Sequence, residues 1–150
     1  MLPALERWSG LEARRMPAIR VADEAALRGY LEERIEATFP ADRLDQVAAV
    51  YRWLGLLPET LELRSFLLRL YEEQALGFYD PRRDALFVRR GARGAELTAV
   101  LAHELVHALQ DQHVDLDSLL LDTSDNDRQT AAHAAMEGHA TLAMFAWQME

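Results

Sequence analysis

The chain has 150 residues, of which 50% are hydrophobic, and it carries a formal net charge of −9 and no cysteine. This composition is typical of one domain with a real apolar core, and no run of about 18 apolar residues predicts a membrane span. The negative charge argues against nucleic acid or an anionic membrane as a partner, and the absence of thiols excludes disulfides and thiolate metal sites. The N-terminus lacks an apolar signal-peptide core, which favours a cytoplasmic location, with an exported fragment as the alternative.

The first half of the chain predicts an arm followed by helices. Residues 1–20 have no clear periodicity, so we expect an arm, or a short strand over residues 18–21. Asp23 is a good N-cap for a first helix, and two further segments carry apolar residues at helical spacing. We interpret residues 21–74 as a helical support layer whose charged side chains face solvent.

Residues 75–90 change from helical spacing to two short apolar segments, a pattern typical of a β-hairpin. Pro81 follows Asp80 between these segments, and this pair suits a type I turn. The hairpin either covers the next helix in a purely structural role, or leaves one strand exposed as an edge at which an extended peptide can pair. In the second case the substrate edge strand comprises Gly77, Phe78, Tyr79 and Phe87.

The segment from about residue 95 to residue 112 predicts a buried helix with polar residues inside it. It contains the sequence His-Glu-x-x-His, in which His103 and His107 lie one turn apart on the same helix face. Two neutral imidazoles at this spacing can bind one Zn²⁺, and the carboxylate of Glu104 can reach a water on the metal as a general base. Buried histidines and a buried glutamate are costly without a partner, which favours a metal over a helix with two solvated histidines.

A catalytic zinc usually has three protein ligands and one open position, so a third ligand is needed. The last predicted helix, about residues 128–149, offers His133, Glu137 and His139. We predict Glu137, because it lies among small residues beside Gly138, and a glycine allows two helices to approach closely. His133 shares the face of Glu137 and is an alternative ligand, a hydrogen-bond donor to a ligand, or a solvated residue. His139 points away from that face.

The chain contains the segments Glu73-Gln74-x-x-Gly77-Phe78-Tyr79-Asp80, Ala102-His103-Glu104-Leu105-Val106-His107-Ala108-Leu109-Gln110-Asp111-Gln112-His113 and Glu137-Gly138-x-Ala140. They resemble the gluzincin clan of zinc metallopeptidases and, more closely, a family of uncharacterised bacterial and archaeal metallopeptidases; the resemblance spans about residues 56–142. It implies an α+β, mostly helical fold, a zincin-like core with a small hairpin or sheet, a metal-binding helix, a glutamate helix and N-terminal support helices. Carried over by position, His103, His107 and Glu137 are the ligands and Glu104 is the base. We therefore expect a single domain over residues 1–150, with its hairpin and metal-site core at residues 75–150.

Four residues are candidates for orienting the ligands. Asp111, four positions after His107, could hydrogen-bond an imidazole, or could be an ordinary surface residue. His133 and His139 are candidates on the last helix, and the family tends to have an acidic residue where this chain has His139. Larger gluzincins often have an aspartate where this chain has Thr141.

The sequence thus predicts a zinc-dependent metallopeptidase that hydrolyses a peptide or protein through a metal-bound water, with Glu104 as the general base, in an active or a latent form. The alternative is a non-catalytic or latent zinc-binding domain with a structural or regulatory role. Deformylase-type amidases use the same motif, and a helical scaffold without metal is a third possibility. Tyr79, His133 and His139 are candidates for stabilising the oxyanion by residue type alone, and the sequence predicts no oligomeric state.

Overall fold

The computed structural model describes the chain except for residue 40 and residues 122–124. The described residues are mostly helical with a small three-stranded sheet, which confirms the predicted α+β, mostly helical class. Among them, no helix combines the length and the apolar character that crossing a membrane requires. The elements in chain order are α1 Leu2–Ser9, β1 Ala18–Ala22, α2 Glu24–Thr38, α3 Ala41–Trp53, α4 Leu63–Gln74, β2 Gly77–Asp80, β3 Ala85–Arg89, α5 Gly94–Asp111, α6 Leu116–Leu121 and α7 Asn126–Gln148.

The chain divides into two compact units, and the smaller one is Ala22–Ala75. This unit contains the predicted helices α2, α3 and α4. Helix α2 begins where predicted, because the Asp23 carboxylate accepts a hydrogen bond of 2.9 Å from the Ala26 N–H. The side chains of the unit's core are each 5% exposed or less, and they are Ile35, Leu44 and Leu68. That the whole chain forms a single domain stays a prediction.

The other unit, Met1–Val21 with Leu76–Glu150, begins with a helix that its sequence did not predict. Helix α1 packs against α5 and α7, and its Leu5 side chain is fully buried in the same core. The arm expected over residues 1–20 is therefore wrong for its first half, whereas the strand expected near its end exists as β1. A helix of eight residues is marginal in water, so packing stabilises it where local sequence signals are weak.

Strands β2 and β3 form the predicted antiparallel hairpin, with Tyr79 opposite Leu86. The connection between them is a short 3₁₀ helix, Pro81–Arg83, in place of a simple type I turn. The strand order β1-β3-β2 leaves β2 at an edge of the sheet and β3 in the middle. The assignment of Phe87 to the edge strand is therefore wrong: it lies on β3 and stacks on Phe78, with 5.0 Å between the ring centroids.

Helix α5 lies at the centre of this unit, in contact with α1, α7 and β2. Helix α7 approaches it through Ala140 and Ala143, both 0% exposed. Gly138 does not have the packing role predicted for it, because a Cβ at that position would meet no neighbouring atom within 4 Å. Small side chains on the buried face of α7, and not the glycine, therefore permit the close approach. The buried residues of the core are Leu5, Leu86, Ala102, Leu105, Val106, Leu109, Ala140 and Ala143.

Candidate metal centre

Two histidines of α5 and one glutamate of α7 converge at the contact between these helices. The Nε2 atoms of His103 and His107 lie 3.0 Å apart, and their rings are nearly perpendicular, at 83°. The Glu137 carboxylate faces both rings, with Oε2 3.1 Å from His103 Nε2 and Oε1 3.5 Å from His107 Nε2. Each of the three residues therefore offers one ligand atom, and these atoms lie within 4.8 Å of one another.

The distances between these atoms fit a divalent metal ion. A tetrahedral ion with bonds of about 2.0–2.1 Å separates its ligand atoms by about 3.3 Å. The two Nε2 atoms are 3.0 Å apart here, and each lies 3.1 or 3.5 Å from the nearer of the two Glu137 carboxylate oxygens. Two imidazole nitrogens and one carboxylate oxygen suit zinc, and they also suit other first-row divalent metals. Among the described residues the cluster has three members, which leaves a tetrahedral ion one further position.

The electrostatics of the cluster favour a bound cation. The neighbouring side chains of His103 and His107 hold the pKa of the Glu137 carboxyl well below its usual range, although burial acts in the opposite direction. Burial disfavours a charged imidazole at His107, but the contacts with Glu137, Glu104 and Gln110 outweigh it and raise the pKa of His107. Glu137 is thus ionised at neutral pH, and its charge faces the two nitrogens.

Glu104 lies beside the cluster and is held by the edge strand. The backbone N–H of Tyr79 donates a hydrogen bond of 2.8 Å to Glu104 Oε2. Burial raises the pKa of the Glu104 carboxyl, while the neighbouring histidines and this N–H partly offset the rise. Strand β2 therefore orients the Glu104 carboxylate, and spacing along α5 alone does not reveal this contact.

Gln110, which was not among the residues predicted from the sequence, contacts His107 directly. Its Oε1 lies 2.8 Å from His107 Nδ1, and its side chain is buried. Its Nε2 lies 3.0 Å from the Met136 carbonyl oxygen and 2.9 Å from His139 Nδ1. Its position three residues after His107, which places it on the same face of α5, is the signal that could have identified it.

Asp111 does not orient an imidazole, so that prediction is wrong. Its carboxylate accepts hydrogen bonds from the Tyr79 hydroxyl, at 2.8 Å, and from the Leu116 N–H, at 3.1 Å. The Tyr79 hydroxyl also lies 3.0 Å from Asp84, and burial together with the Asp111 contact raises the pKa of Tyr79. Because its hydroxyl is bonded to these carboxylates, Tyr79 is a poor candidate for stabilising an oxyanion.

The remaining predicted residues have different positions around the cluster. His139 is hydrogen-bonded to Gln110 and to the backbone of Ser9, and Gln110 in turn contacts His107. His133 is exposed, one turn before Glu137 on α7. Thr141 is partly buried, and among the described residues it forms no hydrogen bond with the imidazoles of the cluster.

Comparison with known proteins shows the family to which the chain belongs. The chain matches no curated protein and no solved structure. Residues 32–150 match the model of a family described as "Putative metallopeptidase family (DUF6782)". The matched range includes the hairpin, α5 and α7, and with them all three members of the cluster. Since the match covers well over half of the chain, the protein belongs to this putative metallopeptidase family.

Proposed function

We propose that the protein is a zinc metallopeptidase of the gluzincin type, in which His103, His107 and Glu137 bind the metal and Glu104 is the general base. The observation that carries the proposal is the convergence of three ligand atoms beside a separately held carboxylate. Membership of the family supports a metal-dependent peptidase at a coarser level. A zinc ion bound there supplies a Lewis acid and lowers the pKa of a coordinated water towards about 7.

Glu104 is suited to moving a proton during peptide hydrolysis. Its raised pKa brings the carboxyl closer to the operating pH, at which a group both accepts and releases a proton efficiently. The Tyr79 N–H holds one carboxylate oxygen, and the other oxygen is left for the proton of the attacking water. After the attack, the same group passes this proton to the leaving amine.

Strand β2 is proposed to bind the substrate in an extended form. The Arg89 N–H donates a hydrogen bond of 2.9 Å to the Leu76 carbonyl oxygen, so in this pair the backbone groups of the two strands point towards each other. Antiparallel pairing alternates, and the register then directs the backbone groups of Gly77 and Tyr79 away from β3. The Tyr79 N–H already bonds Glu104, so the backbone groups of Gly77 are the ones proposed to pair with a peptide. A peptide could pair with this edge near Glu104, which makes a peptide or protein the proposed substrate. A cytoplasmic location stays a prediction from the sequence.

The test separates metal binding from catalysis. Glu104→Gln should keep zinc, measured by elemental analysis, and lower the rate of peptide cleavage about 100-fold or more, because proton transfer is lost. The matched control is Glu96→Gln, an exposed glutamate in the first turn of the same helix, which should cleave at the wild-type rate. Cleavage is measured with a broad peptide library, and a formylated dipeptide tests the amidase alternative.

Two outcomes would overturn the proposal. A Glu104→Gln protein as active as the wild type refutes the base assignment. A wild-type protein that binds zinc but cleaves neither the library nor the formylated dipeptide supports the latent or non-catalytic alternative.

A closed structural site needs four protein ligands, and three converge among the described residues, which is why we favour an open site.

A further inference from the structure

Gln110 links His107 to the N-terminal helix through a continuous series of hydrogen bonds. From the site outwards, His107 Nδ1 lies 2.8 Å from Gln110 Oε1, and Gln110 Nε2 lies 2.9 Å from His139 Nδ1. His139 Nε2 then lies 3.0 Å from the backbone carbonyl oxygen of Ser9, the last residue of α1. The series joins α5, α7 and α1, which are distant in sequence.

The donors and acceptors of this series have one consistent assignment. The Met136 carbonyl can only accept, so the Gln110 atom 3.0 Å from it must be the amide nitrogen, and the amide cannot be flipped. Gln110 then donates its second N–H to His139 Nδ1 and presents its oxygen to His107 Nδ1. That oxygen can only accept, so His107 must carry its proton on Nδ1.

This assignment leaves His107 Nε2 as the nitrogen that faces the cluster. Once Nδ1 carries the proton of a neutral imidazole, Nε2 has the lone pair, and it lies 3.0 Å from His103 Nε2 and 3.5 Å from Glu137 Oε1. Gln110 is only 7% exposed, so water does not compete freely for its amide. The tautomer needed for metal binding is thus selected by protein contacts alone.

We propose that Gln110, held in place by Met136 and His139, is the positioning residue of the His107 ligand. It sets the Nδ1–H tautomer and the ring orientation before a metal binds, and α1 takes part through the Ser9 carbonyl. The inference rests on the proposed function in one respect, because it takes His107 to be a metal ligand. Removing the group that accepts the second N–H of a ligating histidine typically lowers metal affinity about 10- to 100-fold.

The main experiment compares Gln110→Leu with Gln112→Leu. Gln112 is similarly buried, at 5% exposed, and its side chain bonds the backbone of Arg14 and Arg15, away from the cluster. Both variants should lower Tm, because each leaves buried groups unpaired. Gln110→Leu should weaken zinc binding about 10- to 100-fold, measured by competition with a chelator, whereas Gln112→Leu should bind zinc as the wild type does.

A spectroscopic measurement tests the tautomer without zinc. Long-range ¹H–¹⁵N correlation spectra of the metal-free protein, recorded at a pH at which the imidazoles are neutral, should show His107 protonated on Nδ1. Gln110→Leu should shift this ring to a mixture of tautomers. If Gln110→Leu does not fold, His139→Phe removes the acceptor of the second amide N–H and should weaken zinc binding by a smaller factor, about 3- to 10-fold.

The outcomes distinguish this inference from the proposed function. Wild-type His107 protonated on Nε2, or Gln110→Leu binding zinc as tightly as the wild type, would overturn the positioning role. Equal losses of zinc affinity in Gln110→Leu and Gln112→Leu would reduce the effect to general destabilisation and would also overturn it. A wild-type protein that shows the Nδ1–H tautomer but binds no zinc would refute the proposed function and leave the role of Gln110 in orienting the ring.

Discussion

His103 and His107 occupy equivalent positions in the His-Glu-x-x-His sequence, but the protein supports them differently. His107 has an 11% exposed side chain, and its Nδ1 is bonded to Gln110. His103 has a 19% exposed side chain, and among the described residues no hydrogen bond reaches its Nδ1. A symmetric motif therefore contains one imidazole that is held in place and one that is freer. A ring that is already held loses less freedom when a metal binds.

Removing either imidazole should have the largest effect, and it should be similar for both. His103→Ala and His107→Ala each delete one of three proposed ligands, so we expect zinc affinity to fall more than about 100-fold in each. The measurement is zinc stoichiometry and affinity after gel filtration. His133→Ala, which removes an exposed histidine of α7, is the control and should retain zinc. A loss in His133→Ala as large as in His103→Ala would show that the ligand set is different.

The stability of the metal-free protein should then separate the two histidines. His107→Ala leaves the buried side-chain amide oxygen of Gln110 without its hydrogen-bond donor, whereas His103→Ala removes a more exposed ring. The expected difference is about 1–3 kcal/mol in the free energy of unfolding, with His107→Ala the less stable. Urea denaturation in the presence of a chelator measures it. Equal stability of the two variants would mean that the contact with Gln110 contributes little.

The smallest expected effect concerns Asp84, whose carboxylate lies 3.0 Å from the Tyr79 hydroxyl. Tyr79 belongs to β2, the strand that bonds Glu104. Arg15 donates a hydrogen bond to Asp84, which lowers the pKa of that carboxyl. A carboxyl with a depressed pKa stabilises the folded state above its unfolded pKa, and this contribution is lost as the pH falls through its folded pKa. Asp84→Asn should therefore lower Tm modestly at pH 7, and the difference from the wild type should shrink below about pH 4. Circular dichroism melts at several pH values test this, and a difference that grows in acid would contradict it.

Local patterns in the sequence were sufficient for the elements that carry the site. His103, Glu104 and His107 lie on one helix, so their spacing alone predicts that they share a turn. The hairpin and α7 also follow from periodicity and capping, since Asp125 accepts hydrogen bonds from the first N–H groups of α7. The convergence of Glu137 on the histidines agrees with a prediction that needed residue chemistry and family resemblance as well as spacing.

Only the tertiary structure decided which side chains support these residues. Gln110 and Asp111 are neighbours at the end of α5, and spacing favoured the aspartate, yet the packing of α7 directs Gln110 towards His107 and the packing of β2 directs Asp111 towards Tyr79. Helix α1 is the clearest case, because a segment with weak local signals folds against α5 and α7 and reaches the site through His139. The contacts of His139 with Gln110 and with Ser9 join residues that are 29 and 130 positions apart. Helix periodicity reports only which face of a helix is buried, and the partner that meets that face is set by how distant segments pack.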